Sequence, residues 1–365
     1  MADQKNPPLK IVADENTHGV VELFSPYGDV VCLPGRSISA SDVQDADVLL
    51  VRSVTRVNEA LLAGSSVRFV GSATIGVDHV DTTYLASRGI QFAHAPGCNA
   101  RAVVEYVLSC LAVVQPDWQK KSIGVVGCGN VGGLLLNTLR RLGVNAMGCD
   151  PFLDQSPEYM VPLEQGLDCD VISLHTPLTR DGDYPTFQML NKRRLSQINP
   201  GALLINAGRG EVIEGNALLD SLRHNNFRCV LDVWENEPAI DSKLLDQVTL
   251  GTPHIAGYSL EGKLNGTRMV FQAFCQWLGA QAPQKLLQGA SEEPEELDAV
   301  DINLAILQVY DVRRDDRALR QYPGDFDTLR KNYQQRMEFS HFRLTGAISP
   351  GVAEQAELLG FRMPR

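Results

Sequence analysis

Three residues in the second half of the chain have side chains that could act together on a small carboxylic acid. Arg209 lies between two glycines, Glu237 precedes a proline, and His254 follows a Thr-Pro pair. An arginine guanidinium can hold a carboxylate through two parallel hydrogen bonds. A histidine exchanges protons near neutral pH, and a glutamate beside it can orient the imidazole and favour its protonated form. The three residue types predict an acid-binding site that transfers a proton.

Each of these residues also has a structural interpretation when it is taken alone. His254 could be an ordinary structural histidine, Arg209 a solvated turn residue and Glu237 the beginning of a loop. The catalytic interpretation depends on their common position, because each follows a predicted strand and ligands bind outside the carboxyl ends of parallel strands. It also depends on a nucleotide-binding motif upstream.

That motif is a glycine pattern between a predicted strand and a predicted helix. Gly127, Gly129 and Gly132 form GxGxxG. The first glycine permits a tight turn, the second lets the backbone approach a pyrophosphate, and the third allows close packing of the helix. The amides of Asn130 and Val131 would then donate to the anion at the helix start. A GxGxxG pattern alone can also be only a glycine-rich turn. The residues around it decide between this interpretation and a nucleotide site.

An acidic residue stands where such a site needs one. Asp150 ends the next predicted strand, about twenty residues beyond the glycines, where a carboxylate accepts hydrogen bonds from a ribose 2′-hydroxyl. A phosphate on that hydroxyl would be repelled, and Pro151 and Phe152 follow instead of an arginine. The pattern favours NAD over NADP. The alternative is that Asp150-Pro151 only forms a turn at the end of the strand.

The elements that would position these residues form two α/β series. Short strands alternate with helical segments before residue 96, and a buried helix is predicted over Ala100–Val114. The second series has the order of a doubly wound sheet. The predicted strands are 10–13, 29–33, 48–51, 68–71 and 90–93 in the first series, then 123–126, 145–149, 171–175, 202–206, 230–233 and 248–250.

Beyond the second series the pattern changes. A helix is predicted over residues 260–278, and a polar linker that contains proline and glutamate over 281–299. In the tail we predict helices over 304–319 and 326–337 and a strand over 342–344. The fold class is therefore α/β, with two doubly wound parallel-sheet (Rossmann-like) domains and a small C-terminal α+β domain.

Composition excludes several classes of function. The 365 residues carry a net charge of −11, which argues against a nucleic-acid partner. The eight cysteines are scattered without a CxxC pair, as in reduced cytosolic proteins, and no His/Cys cluster suggests a metal. Residues 1–10 are polar and no apolar run is long enough for a membrane span, so neither secretion nor membrane insertion is expected.

The glycine motif and the three strand-end segments resemble the D-isomer-specific 2-hydroxyacid dehydrogenases over residues 9–278. The resemblance implies that His254 is the acid/base, that Glu237 pairs with it, and that Arg209 grips the carboxylate of a 2-hydroxy or 2-oxo acid. It implies NAD as cofactor, contacted by the segment 175–177, with Asp232 on the nicotinamide carboxamide. The residues expected to bind NAD are Gly127, Gly129, Asn130, Val131, Gly132, Asp150, Thr176, Ala207, Gly208, Asp232 and Gly257.

Within the family, the chain resembles one branch more narrowly. The resemblance to this branch lies in five segments, which are residues 51–59, 95–99, 232–235, 254–263 and 309–316. The branch implies a small phosphorylated 2-hydroxy acid as substrate, contacted by Ser53, Thr74 and Tyr258. Arg52 and Arg56 adjoin Ser53 and are the candidates for the phosphate, although loop arginines are often only solvated.

The resemblance also assigns roles to the predicted domains. Residues 1–98 with 259–284 would form the substrate-binding (lid) domain, 99–258 the NAD-binding Rossmann domain, and 285–365 a C-terminal domain that pairs two chains into a homodimer. Three alternatives stay open. The chain could be another NAD-dependent dehydrogenase of the family, such as one for 3-phosphoglycerate, an NAD-sensing binding protein, or a scaffold with coincidental motifs.

Overall fold

The structure is a computed structural model that describes residues 8–224, 226–288, 293–346 and 348–364. Residues 1–7 of the polar N-terminal segment and residues 289–292 of the predicted linker lie outside the described residues. The described chain divides into two compact units. Unit 1 combines the described parts of Met1–Asn99 and Leu260–Ser291, and unit 2 those of Ala100–Ser259 and Glu292–Arg365.

Unit 1 is built on a parallel sheet of five strands in the order β2-β1-β3-β4-β5. Its strands are β1 (Leu9–Asp14), β2 (Gly28–Leu33), β3 (Val48–Val51), β4 (Phe69–Ser72) and β5 (Gln91–His94). Its helices are α1 (Val20–Phe24), α2 (Ala40–Val43), α3 (Glu59–Leu62), α4 (Thr82–Ser87), α11 (Leu260–Trp277) and α12 (Gln284–Gln288), with a 3-10 turn at Gly35–Ser37. The five strands predicted from the sequence are confirmed, and the strand order reverses beside β1, as in doubly wound sheets.

An aromatic cluster fills one face of this sheet. Phe271 and Phe274 lie one turn apart on α11, and both are fully buried. Their ring centroids lie 5.2 and 5.0 Å from that of Phe24, and Phe69 of β4 lies 5.7 Å from Phe274. A helix distant in sequence therefore supplies much of the core of unit 1.

Unit 2 contains a parallel sheet of six strands in the order β11-β10-β9-β8-β6-β7. The strands are β6 (Ser122–Val126), β7 (Asn145–Cys149), β8 (Val171–Leu174), β9 (Leu203–Asn206), β10 (Arg228–Leu231) and β11 (Leu250–Gly251). The helices are α5 (Ala100–Val114), α6 (Asn130–Arg141), α7 (Leu163–Leu167), α8 (Lys192–Leu195), α9 (Gly215–His224) and α10 (Ser242–Gln247), with 3-10 turns at Trp118–Lys120 and Gly210–Val212. The doubly wound, Rossmann-like prediction is confirmed.

Most observed strand bounds lie within one residue of the prediction, and the last two strands of this sheet differ more. The strand predicted over 230–233 ends at Leu231, because the chain turns at Asp232 to form the site described below. The strand predicted over 248–250 corresponds to the two-residue β11. Thr249 precedes β11, and its amide donates a hydrogen bond to Cys229 O at 2.8 Å.

The C-terminal segment, residues 293–364, has more structure than predicted. It contains β12 (Glu295–Asp298), α13 (Ile302–Val309), α14 (Arg313–Gln321), α15 (Phe326–Lys331), β13 (Phe342–Thr345) and α16 (Pro350–Leu359), with 3-10 turns at Pro323–Asp325 and Phe339–His341. β12 and β13 form a two-stranded parallel sheet. The prediction of a small α+β part is confirmed. The division into three domains stays a prediction.

Three expectations for this region were wrong. The polar linker over 281–299 includes α12 and β12, and α16 was not predicted. The helix predicted over 304–319 is two helices, because the Ser109 hydroxyl donates to Tyr310 O at 2.7 Å and accepts from Val312 N at 3.1 Å where they separate. The helix predicted over 326–337 ends at Lys331.

Among the helices that the structure describes, none is both long and apolar enough to cross a membrane.

Replacing Phe274 with alanine should lower the free energy of unfolding of unit 1 by about 3–5 kcal/mol, because a fully buried ring leaves a cavity. Urea denaturation followed by circular dichroism measures this. Phe152→Ala, at a ring that is 74% exposed, is the matched control and should change stability by less than about 0.5 kcal/mol. Equal losses in the two variants would contradict the assignment of Phe274 to the core.

Candidate active site

The candidate site of unit 2 lies at the carboxyl ends of three neighbouring strands, β9, β10 and β11. Backbone hydrogen bonds continue across their ends. The amide of Asp232 donates to Asn206 O at 3.0 Å, and the amide of His254 donates to Asp232 O at 2.7 Å. The structure therefore brings together the three segments that the sequence analysis selected.

A short hydrogen bond joins the predicted acid/base to the predicted glutamate. Nδ1 of His254 lies 2.7 Å from Oε2 of Glu237, and Oε1 of Glu237 accepts from the amide of Trp234 at 2.9 Å. The carboxylate is therefore held at both oxygens. Because Nδ1 faces Glu237, Nε2 is the nitrogen that can exchange a proton with a substrate. The His254 side chain is 34% exposed, so a ligand can reach it.

The charge of Glu237 suits this pairing. Burial alone would raise the pKa of Glu237, but His254, the Trp234 amide and Arg330 favour the ionised form, so its pKa lies below the usual value. At neutral pH Glu237 is an anion. It can stabilise the positive charge that the His254 imidazole gains when it accepts a proton.

The buried carboxylate of Asp232 organises the loop that carries His254. Its Oδ1 accepts from Thr252 Oγ1 at 2.7 Å and from Ile255 N at 2.8 Å. Its Oδ2 accepts from Ala256 N at 2.9 Å. His254 adopts a φ of +56°, in the left-handed region that residues other than glycine seldom adopt, and such geometry is typical of functional sites. This supporting role was not predicted, and the nicotinamide contact of Asp232 stays a prediction.

The turn that carries Arg209 is shaped by its neighbours. The side chain of Asn206 donates to Arg209 O at 3.0 Å and accepts from Gly208 N at 3.1 Å. A Cβ atom on Gly210 would lie 2.0 Å from the carbonyl carbon of Trp234, so only glycine fits there. The turn therefore packs directly against the segment that leads to Glu237.

The glycine motif has the geometry that a dinucleotide requires. Gly127 has a φ of +84°, and a Cβ there would lie 2.8 Å from Thr176 N. A Cβ on Gly132 would lie 1.9 Å from Gly127 O, whereas none of the described atoms lies within 4 Å of a Cβ on Gly129. Gly129 is the N-cap of α6 and provides no side-chain cap. The exposed amides of the first turn of α6 can therefore bind a pyrophosphate.

Two polar residues complete the fit to NAD. The partly buried carboxylate of Asp150 accepts from Cys128 N at 2.9 Å and from Phe152 N at 3.1 Å, which directs it beside the glycine turn. Thr176 Oγ1 is buried without a hydrogen-bond partner among the described atoms. Such an atom normally requires a partner, and a polar group of a bound cofactor would supply one.

His175 differs from His254 in its chemistry. Burial lowers the pKa of His175 to about 4, and its Nε2 lies 2.8 Å from Ser173 Oγ. The imidazole is therefore neutral at physiological pH and is not an acid/base.

Unit 1 holds the remaining predicted substrate residues beyond the ends of two neighbouring strands. Ser53 and Arg56 are exposed and Arg52 is partly buried, in the loop after β3. Thr74 follows β4, where its hydroxyl lies 2.7 Å from Ser72 Oγ and donates to Gly76 O at 3.0 Å. Ser53 and Thr74 were assigned by resemblance to the family, and their contact with substrate stays a prediction.

The charges of Arg52 and Lys263 both act on His18. Burial, followed by the charges of Lys263 and Arg52, lowers the pKa of His18. His18 and Lys263 were not predicted to lie near Arg52, because they come from distant parts of the chain. They could have been suspected only from the tertiary fold.

Tyr258 contacts two residues that were not predicted to lie near it. Its ring centroid lies 5.7 Å from that of Tyr333, and the guanidinium of Arg330 lies 5.9 Å from the Tyr258 ring. Both residues belong to the C-terminal segment.

Comparison with known proteins gives consistent matches. Residues 108–256 match the family described as D-isomer specific 2-hydroxyacid dehydrogenase, NAD binding domain, and residues 288–360 match a domain of unknown function. An erythronate-4-phosphate dehydrogenase of Cellvibrio japonicus (strain Ueda107) is 47% identical over 97% of this chain and 100% of that protein. Another, of Teredinibacter turnerae (strain ATCC 39867 / T7901), is 47% identical over 97% of this chain and 99% of that protein.

Solved structures share the fold at lower identity. A 3-phosphoglycerate dehydrogenase of Entamoeba histolytica with NAD+ bound has a TM-score of 0.65 and 22% identity, covering 78% of this chain and 99% of that one. A D-lactate dehydrogenase of Aquifex aeolicus complexed with NAD and lactic acid has a TM-score of 0.63 and 21% identity, covering 74% and 96%.

The near full-length relatives and the site geometry lead to one conclusion. The chain belongs to the D-isomer specific 2-hydroxyacid dehydrogenases and, within them, to the erythronate-4-phosphate dehydrogenase family.

Proposed function

We propose that this protein oxidises 4-phospho-D-erythronate to 2-oxo-3-hydroxy-4-phosphobutanoate with NAD, a step toward pyridoxal phosphate. The observation that carries the proposal is the 2.7 Å hydrogen bond between His254 and Glu237. It lies in the same unit as the glycine turn and the Arg209 turn. The names and near full-length match of the relatives in Cellvibrio and Teredinibacter support the substrate.

The residues of unit 2 account for the chemistry. His254 removes the proton of the C2 hydroxyl through Nε2, and Glu237 stabilises the imidazolium that results. Arg209 binds the substrate carboxylate and orients C2. Bound NAD would supply the nicotinamide ring as the acceptor of the hydride from C2. The barrier is lowered mainly by positioning and by charge placed where the carbonyl develops.

The residues proposed to bind NAD fall into groups, and each group would contact a different part of the cofactor. The amides at the start of α6 suit the pyrophosphate, and Asp150 suits the adenosine ribose. A 2′-phosphate would meet the Asp150 carboxylate, which favours NAD over NADP. Contacts to the remaining parts are proposed for Thr176, Ala207, Gly208, Asp232 and Gly257.

Unit 1 and Tyr258 would recognise the rest of the substrate. We assign substrate contacts to Ser53, Thr74 and Tyr258, as the family resemblance implies. Arg52 is the proposed phosphate ligand. Lys263 also supports this, because its charge and that of Arg52 both act on His18 and a phosphate needs concentrated positive charge.

The proposal extends to a cytoplasmic homodimer. The cysteines support a reducing compartment, since all eight are free and seven of them are buried. The C-terminal segment supports self-association, because Val300 and Leu304 are 65% and 40% exposed there.

His254→Ala should lower the single-turnover rate of NADH formation by roughly 100- to 10,000-fold, because the variant lacks the proton acceptor. The affinity for NAD, measured by fluorescence titration, should stay nearly unchanged. His224→Ala removes an exposed histidine of the same unit and should retain full activity.

The same assay tests the substrate. Wild-type protein loaded with NAD is mixed with 4-phosphoerythronate, 3-phosphoglycerate or simple 2-hydroxy acids. Reduction by another acid alone would keep the family and change the substrate, and silence with all of them would favour an NAD-sensing protein. A parallel loss of NAD affinity in His254→Ala would make His254 structural.

Arg52→Ala should weaken binding of 4-phosphoerythronate by about 10- to 100-fold, because a charge-assisted hydrogen bond is lost. Erythronate without the phosphate should bind the variant and the wild type equally. Arg68→Ala is the matched control, since Arg68 pairs with Asp47 at 2.7 Å before β4, at the amino end of the strand. Equal losses for the two ligands would refute the phosphate role.

In sedimentation equilibrium, we expect the full chain to have twice the mass of one 40.0 kDa protomer. The double variant Val300→Glu, Leu304→Glu should dissociate it, because like charges would face each other across an apolar contact. Val21→Glu, at a side chain that is 49% exposed on α1, is the control. A monomeric wild type would contradict the homodimer.

A further inference from the structure

A chain of side-chain hydrogen bonds runs through the loop that follows β4. Nε2 of His79 lies 3.0 Å from Ser72 Oγ, and Ser72 Oγ lies 2.7 Å from Thr74 Oγ1. The Thr74 hydroxyl in turn donates to Gly76 O at 3.0 Å. Ser72 is fully buried, whereas Thr74 and His79 are only partly buried. The chain therefore connects a buried serine to the residue that the family resemblance assigns to substrate.

The direction of each of these hydrogen bonds is determined, because a hydroxyl has a single proton. The carbonyl of Gly76 can only accept, so Thr74 uses its proton there. The bond between the two hydroxyls then needs the proton of Ser72, since two oxygen lone pairs would otherwise face each other at 2.7 Å. Ser72 has no proton left for the imidazole, so Nε2 of His79 carries the hydrogen of that bond. His79 donates to Ser72, and Ser72 donates to Thr74.

The backbone that carries Thr74 is bonded to the neighbouring strand. The amide of Ala95, which follows β5, donates to Thr74 O at 3.1 Å. Nδ1 of His94, the last residue of β5, lies 3.2 Å from Ile75 O. Because the loop is held on both sides of its polar side chain, the Thr74 hydroxyl is presented in one direction, as binding sites require.

These bonds leave the Thr74 hydroxyl with one kind of capacity. A threonine hydroxyl has one proton and two lone pairs. The proton and one lone pair are used inside the loop, and the described part of the chain contains no further hydrogen bond to this oxygen. The lone pair that is left can only accept. A ligand must therefore offer a donor to Thr74, which an ionised carboxylate or phosphate oxygen does not have.

The chemistry of the proposed substrate leaves one donor for this position. The carboxylate and the phosphate of 4-phospho-D-erythronate are ionised at neutral pH, and the C2 hydroxyl gives its proton to His254. The C3 hydroxyl is the donor that is left. In 3-phosphoglycerate C3 carries the phosphate ester instead, so that ligand would leave the lone pair of Thr74 without a donor. Sites built to hydrogen-bond a substrate hydroxyl reject analogues that lack it.

We propose that Thr74 is a specificity-determining residue that accepts a hydrogen bond from the C3 hydroxyl of the substrate. Ser72 and His79 are positioning residues, because their donated protons keep Thr74 an acceptor. The inference rests on the proposed function. It deepens that function by giving a physical reason for the preference for 4-phosphoerythronate over the shorter 3-phosphoglycerate.

The test compares two ligands that differ only in the C3 hydroxyl, 4-phosphoerythronate and 2-hydroxy-4-phosphobutanoate. Calorimetry measures their dissociation constants on protein loaded with NADH, with which neither hydroxy acid reacts. The wild type should bind 4-phosphoerythronate about 10- to 100-fold more tightly than the 3-deoxy analogue. Thr74→Val should bind both equally, because valine has the shape of threonine without the acceptor. Thr74→Ser should keep the wild-type preference.

Two further variants complete the comparison. Ser72→Ala should reduce the preference about threefold, because the Thr74 hydroxyl can then turn and donate to the ligand. Thr83→Val, at an exposed threonine of α4 in the same unit, is the matched control and should keep the preference. A wild type that binds the two ligands equally, or a preference that survives in Thr74→Val, would overturn the inference.

A spectroscopic measurement tests the order of the hydrogen bonds without substrate. Near pH 9, well above the usual histidine pKa of about 6.5, 15N NMR of the His79 ring should find the proton on Nε2. An Nε2 without a proton would overturn the inference, even if Thr74→Val does not fold. If 4-phosphoerythronate is not oxidised, the proposed function fails. The protonated Nε2 and the ligand preference would still support the acceptor role of Thr74.

Discussion

The carboxylate of Asp232 connects the end of β10 to the loop that leaves β11, and the geometry of the candidate active site depends on this connection. It is buried and is satisfied by two amides and a hydroxyl. These bonds set the path of residues 252–256, including the left-handed backbone at His254. Without that path, the imidazole would not meet Glu237. A structural carboxylate beneath the loop thus determines where the imidazole of His254, the proposed proton acceptor, lies, as expected when one group orients another.

In both units the residues of the candidate site follow the carboxyl ends of parallel strands. In unit 2 the strand ends deliver Arg209, Glu237 and His254 in three neighbouring segments. In unit 1 the loops after β3 and β4 deliver Ser53 and Thr74. Buried strands hold the scaffold, while the turns beyond them are free to carry reactive groups. The close approach of Gly210 to Trp234 shows how little room these turns have, because even one added carbon would displace the backbone.

Local patterns predicted the strands, α5 and the glycine turn, because apolar runs and the GxGxxG spacing report directly on backbone geometry. The C-terminal segment could not be predicted in the same way. β12 is polar and forms only by pairing with β13 nearly fifty residues later, and the break between α13 and α14 depends on Ser109. The sequence likewise gave no sign that His18 and Lys263 lie near Arg52 or that Arg330 lies near Tyr258. Both arrangements depend on the tertiary fold. The residues proposed to perform chemistry were identified from the sequence, whereas the contacts of those that support them depend on the tertiary fold.

The division of unit 1 into two stretches of chain has a consequence for biosynthesis. Its core needs Phe271 and Phe274 from α11, yet residues 100–259 of unit 2 are made between the two stretches. A ribosome must therefore synthesise the entire second sheet before the first unit can complete its core. Until then the sheet face that α11 packs against lacks Phe271 and Phe274, and exposed apolar surfaces favour aggregation. Efficient production of the protein should therefore depend on how soon α11 packs against that sheet after it is synthesised.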